Sequence, residues 1–304
     1  MTRRERDLRA DRTCRLPGPR PERTASRRLG GPGTEWDCMK FSEISRNATS
    51  ELRATAERWR MIHLMGSAEL RRRYARSRLG QFWLTLSTAV FVLALGTFWA
   101  QVVKLPLETM IPHLAIGQIL WTFLSTSVLE STSAFQSYSW VLQNQYTPNG
   151  VVISSVVYRN ILSFIYNSTV IVAIIAFFGL FSMSGVLTFL LLFLLTCVFL
   201  SASCFIVAII CVRFRDVIQI VATLMTALFF FTPIFWKQQL LPAELQWIVR
   251  INPFAIVIQV LRAPLMGQPI TAADLAAFLA LVLLSAAAAF LLVGRLRHRI
   301  IFWV

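Results

Sequence analysis

Charge is what most of this chain lacks. The 224 residues after position 80 contain 15 Asp, Glu, Lys and Arg, whereas the first 80 contain 30. A domain in water carries charge at about a quarter of its positions, so most of the chain beyond residue 80 does not face water. The acids after that point, Glu108, Glu130, Asp216, Glu244 and Asp274, are dispersed, which argues against the clustered carboxylates of a metal-dependent glycosyltransferase. His63, His113 and His298 are scattered and support no triad. Cys197, Cys204 and Cys211 recur every seven positions on one helical face. At 1.5 Å rise that is about 10 Å between neighbours, beyond a common zinc site, and small packing residues are the better reading. No G-x-x-x-x-G-K-[ST] loop is present to cradle phosphates. Nor is there an internal repeat of the kind that secondary transporters carry around their binding site.

What is abundant is apolar surface: 56% of the 304 residues are hydrophobic. Six runs are long enough to cross a bilayer core of about 30 Å: Leu84 to Val103, Ile111 to Ser133, Ile161 to Phe181, Val186 to Val212, Val217 to Trp236, and Leu275 to Val293. The net charge of +15 sits beside these runs, so anionic lipid headgroups are a simpler partner than nucleic acid. Lys and Arg are retained on the cytoplasmic side. With both termini inside, Arg71, Arg72, Arg73, Arg76, Arg78, Arg213, Arg215, Arg295, Arg297 and Arg299 all fall there. Trp99, Trp121, Trp236 and Trp303 lie near run ends, as an aromatic belt requires. Asn160, Asn167 and Thr169 are expected to hydrogen-bond between helices.

The segment before the first run is two-faced. Leu52, Ala56, Trp59 and Ile62 recur at helical spacing opposite Glu51, Arg53, Glu57, Arg58 and Arg60, which fits a helix lying in the headgroup plane or packing on a cytosolic partner. Residues 1–38 are rich in Arg, Pro and Gly without periodicity and are expected to lack order. Met39 reads as a native start, and a genuine basic tail is the alternative. The expected organisation is therefore an extension at 1–38, an interface helix with its arginine cluster at 39–80, and a six-span domain at 81–304.

Two connections carry candidate sites. Ala134 to Val156 is polar enough to leave the membrane yet keeps Trp140, Leu142 and Tyr146 for packing. Between the fifth and sixth runs, Pro242 to Val249 and Pro253 to Leu265 are helical pieces too short to cross, each opening on Pro, the second capped by Asn252. They read as a re-entrant pair dipping into the membrane. Arg250 and Arg262 on them could meet an anionic lipid phosphate or snorkel as anchors. Glu130, an acid inside an apolar run, is a transport candidate unless it sits solvated at a mouth. Trp83, Tyr138, Phe229, Phe230 and Phe231 are the aromatics placed to line a conduit.

RRYARSRLGQFW from Arg72, RFRDV at 213–217, FFFTPIFW at 229–236, INPFAIVIQVLRAPLMG at 251–267 and the terminal RHRIIFWV resemble, in this order, the permease subunits of type-2 ABC transporters, nearest to the branch that exports O-antigen, capsule and teichoic-acid polysaccharides. The likeness runs from about Met39 to Val304. It implies an all-α polytopic membrane protein of the bacterial inner membrane that pairs with a second copy of itself. It also implies two separate ATP-binding-cassette subunits that carry ATP and Mg, so that this chain binds no cofactor or metal. The cargo would be a lipid-linked glycan, or in the wider class a drug or haem. Arg71, Arg72, Arg73, Tyr74, Arg76, Arg78, Trp140, Gln143, Tyr146 and Pro148 would face the ATPase, while Arg250, Asn252, Pro253 and Arg262 would belong to the exit gate. One departure stands out: NQYTPNGV at 144–151 keeps Pro148 but places Asn149 where the family has arginine, and Gln145 in a region often basic.

Overall fold

A computed structural model describes residues 34–75, 80, 82–144, 147–238, 241–297 and 299–303. The chain divides into two compact units, Met1–Met39 and Lys40–Val304. Of the first, only the opening of helix α1 (Thr34–Glu57) is described; it begins ahead of the Met39 boundary drawn from composition. Arg76, Arg78, Gln145, Tyr146 and His298 lie outside the described residues, as do residues 1–33.

Every regular element among the described residues is helical. The expected two-faced helix is broken in two: Arg58 leaves helical geometry at ψ 26°, and α2 (Trp59–Tyr74) starts afresh. Leu52, Trp59 and Leu64 are exposed, at 57%, 61% and 62%. α2 instead meets the bundle through Gly66 and Leu70. A β carbon at Gly66 would come within 3.0 Å of the Ser155 carbonyl, so only glycine permits this approach of backbone to backbone. Of the apolar face read from the sequence, Leu52, Ala56 and Trp59 are exposed and Ile62 is half-buried.

Among the described residues four helices are long and apolar enough to cross a membrane: α3 (Phe82–Val103), α7 (Asn149–Phe177), α8 (Met183–Arg213) and α12 (Ala272–Leu296). α4 (Leu107–Ser131) is 25 residues long but more polar. It packs against α3, α7 and α8 and is buried along most of its length, so its polar side chains meet protein rather than lipid. α9 (Val217–Phe231) has 15 residues, about 22 Å at helical rise. It stops short of Trp236 because Thr232 precedes Pro233 and takes extended geometry, φ −94° and ψ 130°, as the proline ring requires of its neighbour.

The connection at Ala134 to Val156 is shorter than composition indicates. After α5 (Ala134–Ser137) and α6 (Ser139–Asn144), α7 starts at Asn149, capped by Pro148. It therefore precedes its apolar core by three turns, carrying Arg159 and Asn160 into the bundle. Past α9, a 3₁₀ turn (Ala243–Leu245) and α10 (Gln246–Ile251) stand where Pro242 to Val249 was expected. α11 spans Pro253–Leu265, and the Asn252 side chain accepts from the Phe254 and Ala255 amides. That cap and the proline at the first turn fix its start as the sequence indicates. A last turn, α13 (Ile300–Trp303), contacts α8, and Arg213 lies 4.8 Å from the Trp303 ring centre.

One end of the bundle gathers the start of α7 and the ends of α4 and α12. α1 is fastened there: Arg297 donates to the Asn47 carbonyl at 3.1 Å and to the Ser50 hydroxyl, and the Gly294 position abuts the Ile44 backbone. Asn149, which stands where the resemblance implies an arginine, donates to the Arg297 carbonyl at 3.0 Å. Aromatic packing fills the interior, and Trp121, expected in an interfacial belt, is buried against Phe229 and Phe254.

Candidate functional site

The helix α4 carries a polar residue near each end, His113 and Glu130, seventeen positions apart and so about 25 Å along the axis. Each meets a buried arginine from a distant part of the chain.

At the Glu130 end the charges are balanced. Arg159 of α7 is 5% exposed and forks between two carboxylates, reaching Glu130 at 2.6 Å and Glu69 of α2 at 2.5 Å. Glu130 also accepts from Arg73 at 2.7 Å and from Asn160 at 2.7 Å. Asn160 in turn accepts from Thr126, and the Tyr138 hydroxyl donates to Glu69. Two arginines and two carboxylates therefore share one network, with an amide and a phenol filling lone pairs that the cations leave. Burial first, and then the hydrogen bond to Glu69, push the Tyr138 hydroxyl up to about 12. The hydrogen bond to Glu130 raises Arg73 above its ordinary value. Both stay protonated at neutral pH, as donors to carboxylates should. The network ties α2, α4 and α7 together and reaches the turn between α5 and α6.

At the His113 end the balance is missing. Arg262 of α11 is 6% exposed, yet its partners are neutral: His113 Nε2 at 2.9 Å and the Pro233 carbonyl at 3.0 Å. A guanidinium only donates, so His113 accepts here through an unprotonated nitrogen. Arg262 Nε has no hydrogen-bond partner among the described residues. Gly117 faces the guanidinium so closely that an added methyl would overlap it. Arg262, His113 and Lys237 line a cleft of about 560 Å³ together with Gln238, Gln259, Gln268, Thr271 and Asp274.

Several expected site residues fall elsewhere. Arg71, Arg72 and Gln143 are exposed, Tyr74 is half-buried, and Pro148 is buried as the cap of α7. Trp140 is 62% exposed on α6. Arg250 is exposed on α10 and does not line the cleft with Arg262. Asn252 and Pro253 serve the start of α11, Asn252 also donating to the Thr232 hydroxyl at 2.9 Å. Of the conduit candidates, Trp83, Phe230 and Phe231 are exposed, whereas Phe229 packs on Trp121 and Phe235. Glu130 and Tyr138 belong to the ion network rather than standing free. Asn167 meets the expectation of an interhelical bond, accepting from Thr88 at 3.2 Å; Thr169 bonds within its own helix.

Three residues that matter here, Glu69, His113 and Arg159, are not singled out by sequence reasoning. The signal that could have found two of them is an ionisable side chain in an apolar helical run with no opposite charge one turn away, which demands a remote partner.

Residues 61–266 match the family described as ABC-2 type transporter. An O-antigen export system permease protein RfbA from Myxococcus xanthus is 29% identical over 168 residues, 55% of this chain and 65% of that relative. The protein of the same name from Klebsiella pneumoniae is 23% identical over 199 residues, covering 65% of this chain and 77% of its own length. The chain thus spans just under two thirds of the first relative. Because the matched family covers about two thirds of the sequence and takes in both buried arginines, the chain belongs to the ABC-2 type transporter family.

Proposed function

We propose that this chain is the membrane-spanning permease subunit of an ATP-driven exporter that moves a lipid-linked polysaccharide across the bacterial cytoplasmic membrane. Two copies form the pathway, and two separate ATPase subunits, holding ATP and Mg, drive it. Six crossings are made by α3, α4, α7, α8, α9 and α12, with α10 and α11 as a re-entrant pair on the outer side and both termini inside. The positive-inside bias of the Arg71–Arg78 cluster, Arg213, Arg215, Arg295, Arg297 and Arg299 supports that orientation, and the export role in the relatives' names supports the cargo.

The observation that carries the reading is the ion network at Glu130. An ATPase in this arrangement meets α2 and the α5–α6 turn, which expose Arg71, Arg72, Trp140 and Gln143. Force applied there reaches α4 and α7 through Glu69, Arg73 and Arg159 without passing through a flexible loop. The test is deletion of the gene in its own host, followed by blotting for surface glycan and for its carrier-linked precursor. Loss of surface glycan with accumulation of precursor, restored by the wild-type gene, is the expected result; unchanged surface glycan rejects the cargo.

A further inference from the structure

We propose that the groove between α1, α7, α8 and α12 holds a resident phospholipid of the ethanolamine class, with one acyl chain lying in the groove and the headgroup ammonium on Glu51. The inference uses the membrane-spanning arrangement described above, but neither the cargo nor the direction of transport.

Shape comes first. The groove encloses about 600 Å³, and Ala202 of α8 with Ala286 and Ala289 of α12 leave space that larger side chains would fill. Its floor is buried at Ala48, Ile153, Ala202 and Ala289, while Leu52, Leu194 and Val198 on its rim are exposed. Leu187, Leu191, Leu194 and Val198 recur at helical spacing and are all exposed, so the rim belongs to an apolar face of α8 that a bilayer would cover. Along α8 the lining runs from Leu194 to Phe205, about 16 Å at helical rise. That is about half of a hydrocarbon core of roughly 30 Å, the depth of one leaflet. The Glu51 end lies where α7 begins, because Gly150 also lines the groove and its amide donates to Glu51 at 3.4 Å. In the orientation proposed above this end faces the cytoplasm, and the leaflet is the inner one.

Charge supplies the second argument. Among the described residues that line the groove, Glu51 is the charged one, and it joins no ion pair there. The Thr55 and Ser201 hydroxyls already donate to carbonyls of their own helices, at 2.8 and 2.7 Å. A carboxylate offers about four lone-pair sites, and the long amide contact from Gly150 occupies one of them weakly. An acid at the mouth of an apolar groove one leaflet deep suits a cationic donor that stands above an acyl chain. The ethanolamine headgroup is such a donor, since its primary ammonium can form charge-assisted hydrogen bonds. Choline carries the same charge but has no N–H to donate. A glycerol headgroup brings no positive charge, and its phosphate leaves a net negative charge near Glu51. Hydrogen bonding therefore separates ethanolamine from choline, and charge separates it from glycerol.

The test places the full chain in nanodiscs with a trace of phosphatidylethanolamine that carries a diazirine midway along one acyl chain. After illumination, the labelled residues are mapped by peptide mass spectrometry. Label is expected at positions 194–205 of α8 and 286–293 of α12, and unlabelled phosphatidylethanolamine should displace it at least about fivefold better than phosphatidylcholine or phosphatidylglycerol. Label at Leu283 and Leu284, which are exposed on α12, should show no such preference. Glu51→Gln can still accept from Gly150, so it removes the charge and keeps the tie between α1 and α7; it should bring the ethanolamine and choline lipids to equal competition. Ala286→Leu narrows the groove and should lower labelling whatever the headgroup, which keeps the test valid if the Glu51 variant fails to fold. Equal competition by the ethanolamine and choline lipids in the unmodified chain overturns the proposal. So does a preference that survives Glu51→Gln, or groove labelling that Ala286→Leu leaves unchanged. Labelling that appears only when the chain is kept monomeric would assign the groove to a second copy and likewise overturn it.

Discussion

Arg159 and Arg262 are equally hidden, at 5% and 6% exposure, but their surroundings are opposite. Arg159 sits between two carboxylates and is part of the fold's framework; Arg262 leans on a histidine and a carbonyl and faces a cleft. Removing one partner of a buried ion pair leaves a stranded charge and is strongly destabilising, whereas an isolated buried charge contributes little to stability and can even oppose it. The same residue type at the same burial therefore serves two purposes. At the Glu130 end it joins three helices through paired charges, and at the His113 end it borders a cleft with neutral hydrogen-bond partners.

Arg159→Met should break this contrast most sharply. It strands Glu69 and Glu130 beside one another with only Arg73 to balance them, and should cost about 3–5 kcal/mol in chemical unfolding followed by tryptophan fluorescence in detergent. Gly66→Ala comes next: the new methyl meets the Ser155 carbonyl and the Tyr158 ring, and separating α2 from α7 should cost about 1–3 kcal/mol. Its effect on export should exceed what stability alone explains, because the Glu69–Arg159 contact crosses that interface. Tyr138→Phe removes one donor to Glu69 and should cost about 1.5–3 kcal/mol if the bond to the charged group is fully formed, and less to the extent that water replaces the phenol. Smallest of all is Arg72→Gln, an exposed change expected to stay within about 0.5 kcal/mol; a fall in export with unaltered unfolding would place Arg72 at the ATPase surface.

How much of this was legible in the sequence follows from how local each feature is. The start of α11 is written in adjacent residues, Asn252 then Pro253, and its bounds agree with those drawn from the apolar run. The apolar cores of α3, α7, α8 and α12 are likewise local. The early start of α7 was hidden because counting apolar residues begins at Ile161 and treats Arg159 as the edge of a loop, whereas its partners Glu130 and Glu69 lie 29 and 90 positions away. α4 looked like a lipid-facing span because a hydropathy window cannot tell lipid from neighbouring helices. His113 looked isolated since its partner is 149 residues distant. Glu130 stands out for a sound reason, that an acid in an apolar run needs a partner, and its partners are Arg73, Arg159 and Asn160.

The central claim is that the two buried arginines differ in kind, and it is tested most directly by measuring Arg159→Met and Arg262→Met side by side in the same unfolding experiment. Methionine nearly preserves volume at both positions, so packing changes little and charge balance decides the outcome. Arg159→Met is predicted to lose about 3 kcal/mol or more while Arg262→Met stays within about 1 kcal/mol of the unmodified protein or gains stability. Equal losses at the two positions would contradict the account, because Arg262 would then be holding the fold together just as Arg159 does.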